Sequence, residues 1–117
     1  MERTEIGDLI LIVTREDEKT VLSWEGESNE RNPDENLTPH LEKFISTLEG
    51  DLIIKFNDLY FMNSSTVYPI ITFLTKLNDK KINTEVHYSE KSSWQKTSFK
   101  AMKTLADILG HIKFIGD

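Results

Sequence analysis

The run Leu52-Ile53-Ile54-Lys55-Phe56 decides the architecture of this chain. It is apolar except for one lysine, β-branched at its centre, and too short to be a helix with turns of its own. Such near-continuous apolarity predicts a strand covered on both faces, as in the middle of a parallel sheet. Just upstream, Gly50 is placed to end a helix in the left-handed conformation. The helix it would end is legible as well. Leu37, Leu41, Phe44, Ile45 and Leu48 recur at helical spacing, with Thr38 as the cap and Pro39 at the first helical position.

Working outward, Val67, Ile70, Ile71, Leu74 and Leu77 mark a second amphipathic helix closed by Asn78-Asp79-Lys80-Lys81. Pro69 has no N–H for the Ser65 carbonyl and disfavours helical geometry at Tyr68, so this helix should start late or kinked. Ile82, Thr84, Val86 and Tyr88 alternate with Asn83, Glu85 and His87, the period of a half-exposed strand. Phe99, Met102, Leu105, Ala106 and Leu109 form a third helical stripe stopped by Gly110, and Ile112-Lys113-Phe114-Ile115 is a last short strand. Towards the start, Leu9–Val13 and Val21–Trp24 read as strands joined as a hairpin across a charged turn from Thr14 to Thr20. Residues Glu25 to Asn36 make the longest loop.

The order β-β-α-β-α-β-α-β predicts an α/β fold: a mixed, mainly parallel central sheet of about five strands with helices packed on it. Leu52–Phe56 should lie centrally, with Thr84–Tyr88 parallel on one side and Leu9–Val13 or Val21–Trp24 on the other. At 117 residues, with no linker-like stretch, residues 1–117 read as a single domain. Hydrophobic residues at 38% and charged residues at 29% place it among globular and not disordered chains.

No apolar run is long enough for a membrane span, and the charged N-terminus leads into no signal-peptide core. The absence of cysteine removes disulfides, thiolate metal sites and cysteine nucleophiles, and fits a reducing cytoplasm. The net charge of −6 argues against a nucleic-acid partner. Its distribution is uneven: 13 acids and 5 bases lie in residues 1–50, against 7 and 9 in residues 51–117.

Catalytic signatures are missing. Gly7, Gly26, Gly50, Gly110 and Gly116 are too far apart for a phosphate-cradling loop, and no G-x-S-x-G elbow occurs. His40, His87 and His111 make no ligand pair, so neither a metal nor a cofactor is implied, and the chain reads as a non-enzyme. Glu16-Asp17-Glu18 and Asp34-Glu35 read as solvated loop charge. Lys96, Lys100 and Lys103 share one helix face, a solubilising strip before it is a docking strip. Trp94 reads equally as an exposed anchor or as cover for the edge of the core.

One junction differs from this background: Asp58-Leu59-Tyr60-Phe61-Met62-Asn63-Ser64-Ser65-Thr66 joins the central strand to the second helix. Asparagine and three hydroxyl residues at a helix start suit an anion or phosphoryl group, because orphan N–H groups and the positive dipole end meet there. They also suit plain capping by Asn63, Ser64 or Ser65, and composition alone favours capping.

This junction resembles the core of STAS domains, the family of anti-sigma factor antagonists. There a strand followed by D-L-x-F-x-D-S-S-G-L opens the second helix. Trp24-Glu25-Gly26-Glu27 is similar to the family's segment after its second strand. The resemblance runs from about residue 8 to 115 in element order and is specific between Leu52 and Leu74. Ser93-Trp94-Gln95-Lys96-Thr97-Ser98 also resembles a STAS-like bacterial regulator subgroup carrying W-Q-x-K-S, and small phosphorylatable biofilm regulators carry N-T-S-S at the junction.

The resemblance implies a regulator that switches partners in signal transduction. It docks an anti-sigma-type kinase or a PP2C-type phosphatase and is released when phosphorylated. The acceptor carried over is Ser65, with Ser64 as the alternative, and the docking surface is Asn63, Ser64, Ser65, Thr66 and Tyr68. Asn63 stands where the family has aspartate, which removes a charge beside the acceptor. Thr66 replaces its glycine, adding a β-branched side chain where the partner approaches. An unphosphorylated scaffold or complex subunit, and a small-molecule-sensing domain, are the alternatives. The oligomeric state is not legible.

Overall fold

The computed structural model describes residues Met1–Asp117. Its strands are β1 (Glu2–Ile6), β2 (Leu9–Glu16), β3 (Lys19–Ser28), β4 (Leu52–Lys55), β5 (Leu59–Met62), β6 (Thr84–Tyr88) and β7 (Ile112–Gly116). Its helices are α1 (Leu37–Thr47), α2 (Val67–Asp79) and α3 (Ser93–Leu105). The sheet runs β1-β2-β3-β4-β6-β7, and β5 pairs with the far end of β3. β1, β2 and β3 pair antiparallel, and all later pairings are parallel. β4 lies between β3 and β6 with Leu22, Ile54 and Val86 in register, the central position its apolarity predicts.

Two of the seven strands lie outside the sequence expectation of about five. β1 reads Glu-Arg-Thr-Glu-Ile, and charges at three of its five positions conceal a strand that folds along the sheet edge. β5 occupies the middle of the strand–helix junction.

The strand period sorts the sheet into two unlike faces. Leu9, Leu11, Leu22, Trp24, Leu52, Ile54, Phe56, Val86 and Tyr88 belong to one core cluster. It also takes in Leu37, Leu41 and Ile45 of α1, Ile70, Phe73, Leu74 and Leu77 of α2, and Phe99 and Met102 of α3. Ile10, Ile12, Val21, Ile53 and Ile115 alternate with the first set and take no part in that core. The helices therefore cover one face only. This corrects the expectation for Leu52–Phe56: Leu52 and Ile54 are buried beneath helices, whereas Ile53 and Lys55 stay half-buried on the opposite face. Each large side chain in the cluster contributes roughly 1.5–3 kcal/mol by leaving water.

The element ends are placed by local bonding, and several differ from expectation. The hairpin turn is Asp17-Glu18 alone, at φ 50° and 72°, because a two-residue loop of this hand matches the twist of β2 and β3. Arg15 fastens the turn, donating to the Glu18 carbonyl at 3.1 Å and the Glu49 carbonyl at 3.2 Å. A 3-10 turn, Pro33–Glu35, precedes α1, which begins at Leu37. Thr38 is not its cap: the hydroxyl donates to Asp34 Oδ1 at 2.8 Å instead. α1 ends at Thr47, so Gly50 is left-handed (φ 76°) in the loop and not at the helix end. α3 likewise stops at Leu105, short of Gly110. α2 starts irregularly, as Pro69 requires, with a 3-10 turn at Ser64–Thr66 before α-helical geometry from Val67. No helix is long and apolar enough to cross a membrane.

Candidate functional site

The junction between β4 and α2 is held from three directions. At the end of β4, Phe56 N–H bonds to the His87 carbonyl at 2.9 Å, and Leu59 N–H turns back to the Phe56 carbonyl at 2.9 Å. β5 then pairs in parallel with the end of β3, with Leu59 opposite Gly26, Phe61 opposite Glu27 and Met62 opposite Ser28. The register shifts between Gly26 and Glu27, where β3 leaves its earlier partners.

From the helix layer, Gln95 closes the structure. Only 1% exposed, it donates Nε2 to the carbonyls of Phe56 (2.7 Å) and Leu59 (2.9 Å), and its Oε1 accepts from Ser89 N–H (2.8 Å). Both amide protons and the amide oxygen are thus satisfied by backbone.

The third anchor is a polar knot at the start of α2. Asn63 N–H bonds to the Ser28 carbonyl at 2.9 Å, and its Nδ2 donates to the Glu30 carbonyl at 2.8 Å. Its Oδ1 accepts from the Thr66 hydroxyl at 2.6 Å, and that hydroxyl lies 2.7 Å from Ser28 Oγ. Asn63 therefore does not cap the helix with its side chain, and the capping reading fails there. An aspartate here would have no N–H for the Glu30 carbonyl.

Thr66 corrects the sequence expectation too. It is 0% exposed, turned inward by the 3-10 turn, and presents nothing to a partner. Thr66→Val should leave the Asn63 and Ser28 oxygens without this bond and lower stability by about 2 kcal/mol, read by urea unfolding. Ser65→Ala, at an exposed position, should change stability by less than about 0.5 kcal/mol in the same experiment.

What the knot leaves outside is the candidate surface. Ser64 and Ser65 are exposed, and Tyr68, one helical turn on, is 70% exposed. On β5, Tyr60 (79%) and Phe61 (48%) are exposed as well. Of the five predicted surface residues, Ser64, Ser65 and Tyr68 come together outward, Asn63 supports them half-buried, and Thr66 lies inside. Tyr60 and Phe61 lie on β5, just before the junction, and are not among the predicted residues. Their signal is the alternation of buried Leu59 with exposed Tyr60, too brief to read without knowing that β5 exists.

The other sequence candidates resolve plainly. Trp94 is half-buried against the core, with its ring 6.4 Å from that of Phe99, so it covers the core edge. Lys96 and Lys100 each lie 4.0 Å from Glu90 Oε2, an exposed charge strip.

A second polar group, on the face without helices, centres on His87. Its Nε2 is 3.0 Å from Glu85 and its Nδ1 is 3.1 Å from Asp117. The hydrogen bond with His87 holds the Glu85 carboxyl below its usual range against a smaller desolvation, with Lys19 and Lys113 adding to the effect. Partial burial opposes ionisation of Asp117, but bonds from Asn57 and His87 and the charges of His87 and Lys55 outweigh it. Depressed carboxyl values mean stability that is present above the unfolded range, near pH 4, and lost as pH falls through the lower folded values. Glu85→Gln should therefore lose less stability than the parent chain between about pH 4.5 and 3, measured by urea unfolding at each pH.

No protein-family model matches the chain, and no curated protein sequence matches it. Among solved structures, it is similar to an anti-sigma factor antagonist from Mycobacterium paratuberculosis. The TM-score is 0.65 at 14% identity, covering 87% of this chain and 86% of that one. It is also similar to an uncharacterized protein with a SpoIIAA-like fold from Shewanella loihica. There the TM-score is 0.59 at 15% identity, covering 97% of this chain and 90% of that one. At these identities the likeness is one of fold. The chain has a STAS-like fold, the fold of an anti-sigma factor antagonist.

Proposed function

We propose that this chain is a regulatory protein-binding module that docks a partner at the start of α2, with phosphorylation of Ser65 as its release signal. The observation that carries this reading is that Ser64, Ser65 and Tyr68 stand exposed at the start of α2, on a junction held by buried hydrogen bonds, with exposed Tyr60 and Phe61 on the preceding strand. Three large apolar side chains left in water beside two free serines suit contact with another protein. The fold likeness to an anti-sigma factor antagonist supports a protein partner, which in this reading is of the kinase or PP2C-type phosphatase class.

The physics of the switch follows from position. A phosphoryl group adds roughly −1.5 to −2 charges. At Ser65 the chain itself tolerates that charge, because the residue is exposed to water and sits at the positive end of α2. A partner surface shaped for a neutral hydroxyl and three aromatic rings would not tolerate it, since the charge would be desolvated without a counter-ion. Binding is lost and folding is kept.

The test is a pull-down to identify the partner, then affinity measurements for the parent chain, Ser65→Asp and Ser65→Ala. Ser65→Asp should weaken the complex by about tenfold or more while the melting temperature moves by no more than about 2 °C. Ser65→Ala should bind as the parent does. Equal affinities for all three would remove Ser65 from the mechanism and leave an unmodified scaffold. Loss of binding in Tyr68→Ala without effect from Ser65→Asp would point the same way.

A further inference from the structure

We propose that the free edge of β1 is a dimerisation strand, pairing antiparallel with β1 of a second copy about a two-fold axis at Thr4. β1 is bonded to β2 on one side only, so every second residue turns its N–H and C=O away from the sheet. The strand is Glu2-Arg3-Thr4-Glu5-Ile6, and Arg3 and Glu5 share one face, already bonded to each other at 3.0 Å. Centred on Thr4, an antiparallel copy places Arg3 opposite Glu5 of the second copy and Glu5 opposite its Arg3. Both cross-strand pairs are of opposite charge.

Other registers fail. Antiparallel pairing keeps side chains on matching faces, so the neighbouring two-fold registers centre on Arg3 or Glu5 and set like charges directly opposite. The opposite edge of the sheet offers no such match, because β7, Ile112–Gly116, contains a lysine and no acid.

The helix-side face of β1 agrees. Beside the edge, β1 and α1 enclose a cleft of about 650 Å³ lined by Glu2, Thr4, Val13, His40, Lys43 and Phe44, among others. In the Thr4-centred register, Ile6 of the second copy lies opposite Glu2 and so comes to the rim of this cleft, where Glu2 lines it. The contact is isologous and closes on itself, which consumes both free edges and gives a dimer and not a fibre.

Sedimentation velocity of the full chain, from about 1 to 200 µM, reads this directly. The parent chain should sediment at twice its 13.6 kDa mass in the upper part of that range. Arg3→Glu and Glu5→Arg should each be monomeric alone, with dissociation raised at least about tenfold. Mixed together, they should form a heterodimer, since each Glu then meets an Arg. The double variant Arg3→Glu/Glu5→Arg should dimerise as the parent does. Thermal unfolding of each variant confirms that it is folded. A parent chain monomeric throughout overturns the proposal and leaves the edge to some other protein's strand. Single variants that remain dimeric, or a mixture that does not associate, would overturn it too.

Discussion

Gln95→Leu should lower stability by on the order of 3–5 kcal/mol, the largest loss expected from a single polar residue here. Leucine fills nearly the same volume, so the effect isolates the hydrogen bonds. It leaves the Leu59 carbonyl and the half-buried Ser89 N–H without this partner and takes one of two donors from the Phe56 carbonyl, which keeps Leu59 N–H, and each unpaired group costs about 1–3 kcal/mol. Total stability for a domain of this size is roughly 5–15 kcal/mol, so the variant should remain only marginally folded. A drop in melting temperature of roughly 10–20 °C is the corresponding thermal result. Gln95→Glu should be at least as damaging, because it turns an oxygen towards two carbonyls that need a donor. Urea unfolding of both variants settles it, and a loss under about 1 kcal/mol for each would show that water replaces the amide freely.

Gly26→Ala should cost about 3 kcal/mol, from two separable sources. At φ 79° the backbone is left-handed, which penalises any side chain by about 1–2 kcal/mol. A Cβ at this position would also overlap the Asp8 carbonyl oxygen, which accepts from Glu27 N–H at 3.1 Å. Relieving that overlap means moving backbone, at about a further 1–3 kcal/mol. Asparagine tolerates the left-handed region but has the same Cβ, so Gly26→Asn separates the sources. If overlap dominates, Asn should be no better than Ala in denaturant unfolding. If Asn recovers most of the loss, conformation alone is responsible. Either variant should also loosen β5, since Gly26 is where β3 takes it up, and faster amide hydrogen exchange over Leu59–Met62 would report this.

How much of this was legible in sequence depends on the distance over which each residue acts. Leu52–Phe56 announces a central strand because period and apolarity are local, and the strand lies between β3 and β6. Its second face was misjudged, because apolarity reports burial and Ile53 obtains partial burial from neighbouring strands without any helix above it. Ser64 and Ser65 are exposed at the start of α2, as the phosphorylation reading requires, because hydroxyl residues at a turn carry no apolar area to bury. Thr66, next in sequence and similar in chemistry, is fully buried. Only the position of Ser28, 38 residues away, makes that favourable. Gln95 lies in a motif that the sequence singles out, but its partners are backbone groups as far as 39 residues away, and no side-chain pattern encodes them. Helix ends were misplaced at Thr38, Gly50 and Gly110 because several residues in each stretch can terminate a helix, and tertiary bonds choose among them.

The knot of Asn63, Thr66 and Ser28 has a kinetic meaning. Freezing a loop during recognition usually consumes part of the contact free energy, and it slows association when the competent shape is rare. Here the backbone beneath Ser64 and Ser65 has already lost its freedom during folding. A partner docking there as proposed would meet a surface in its final shape, and encounter would be rigid-body docking. Modification at Ser65 would leave that shape unaltered, so its effect would fall on how long the complex lasts and hardly at all on how the free chain moves.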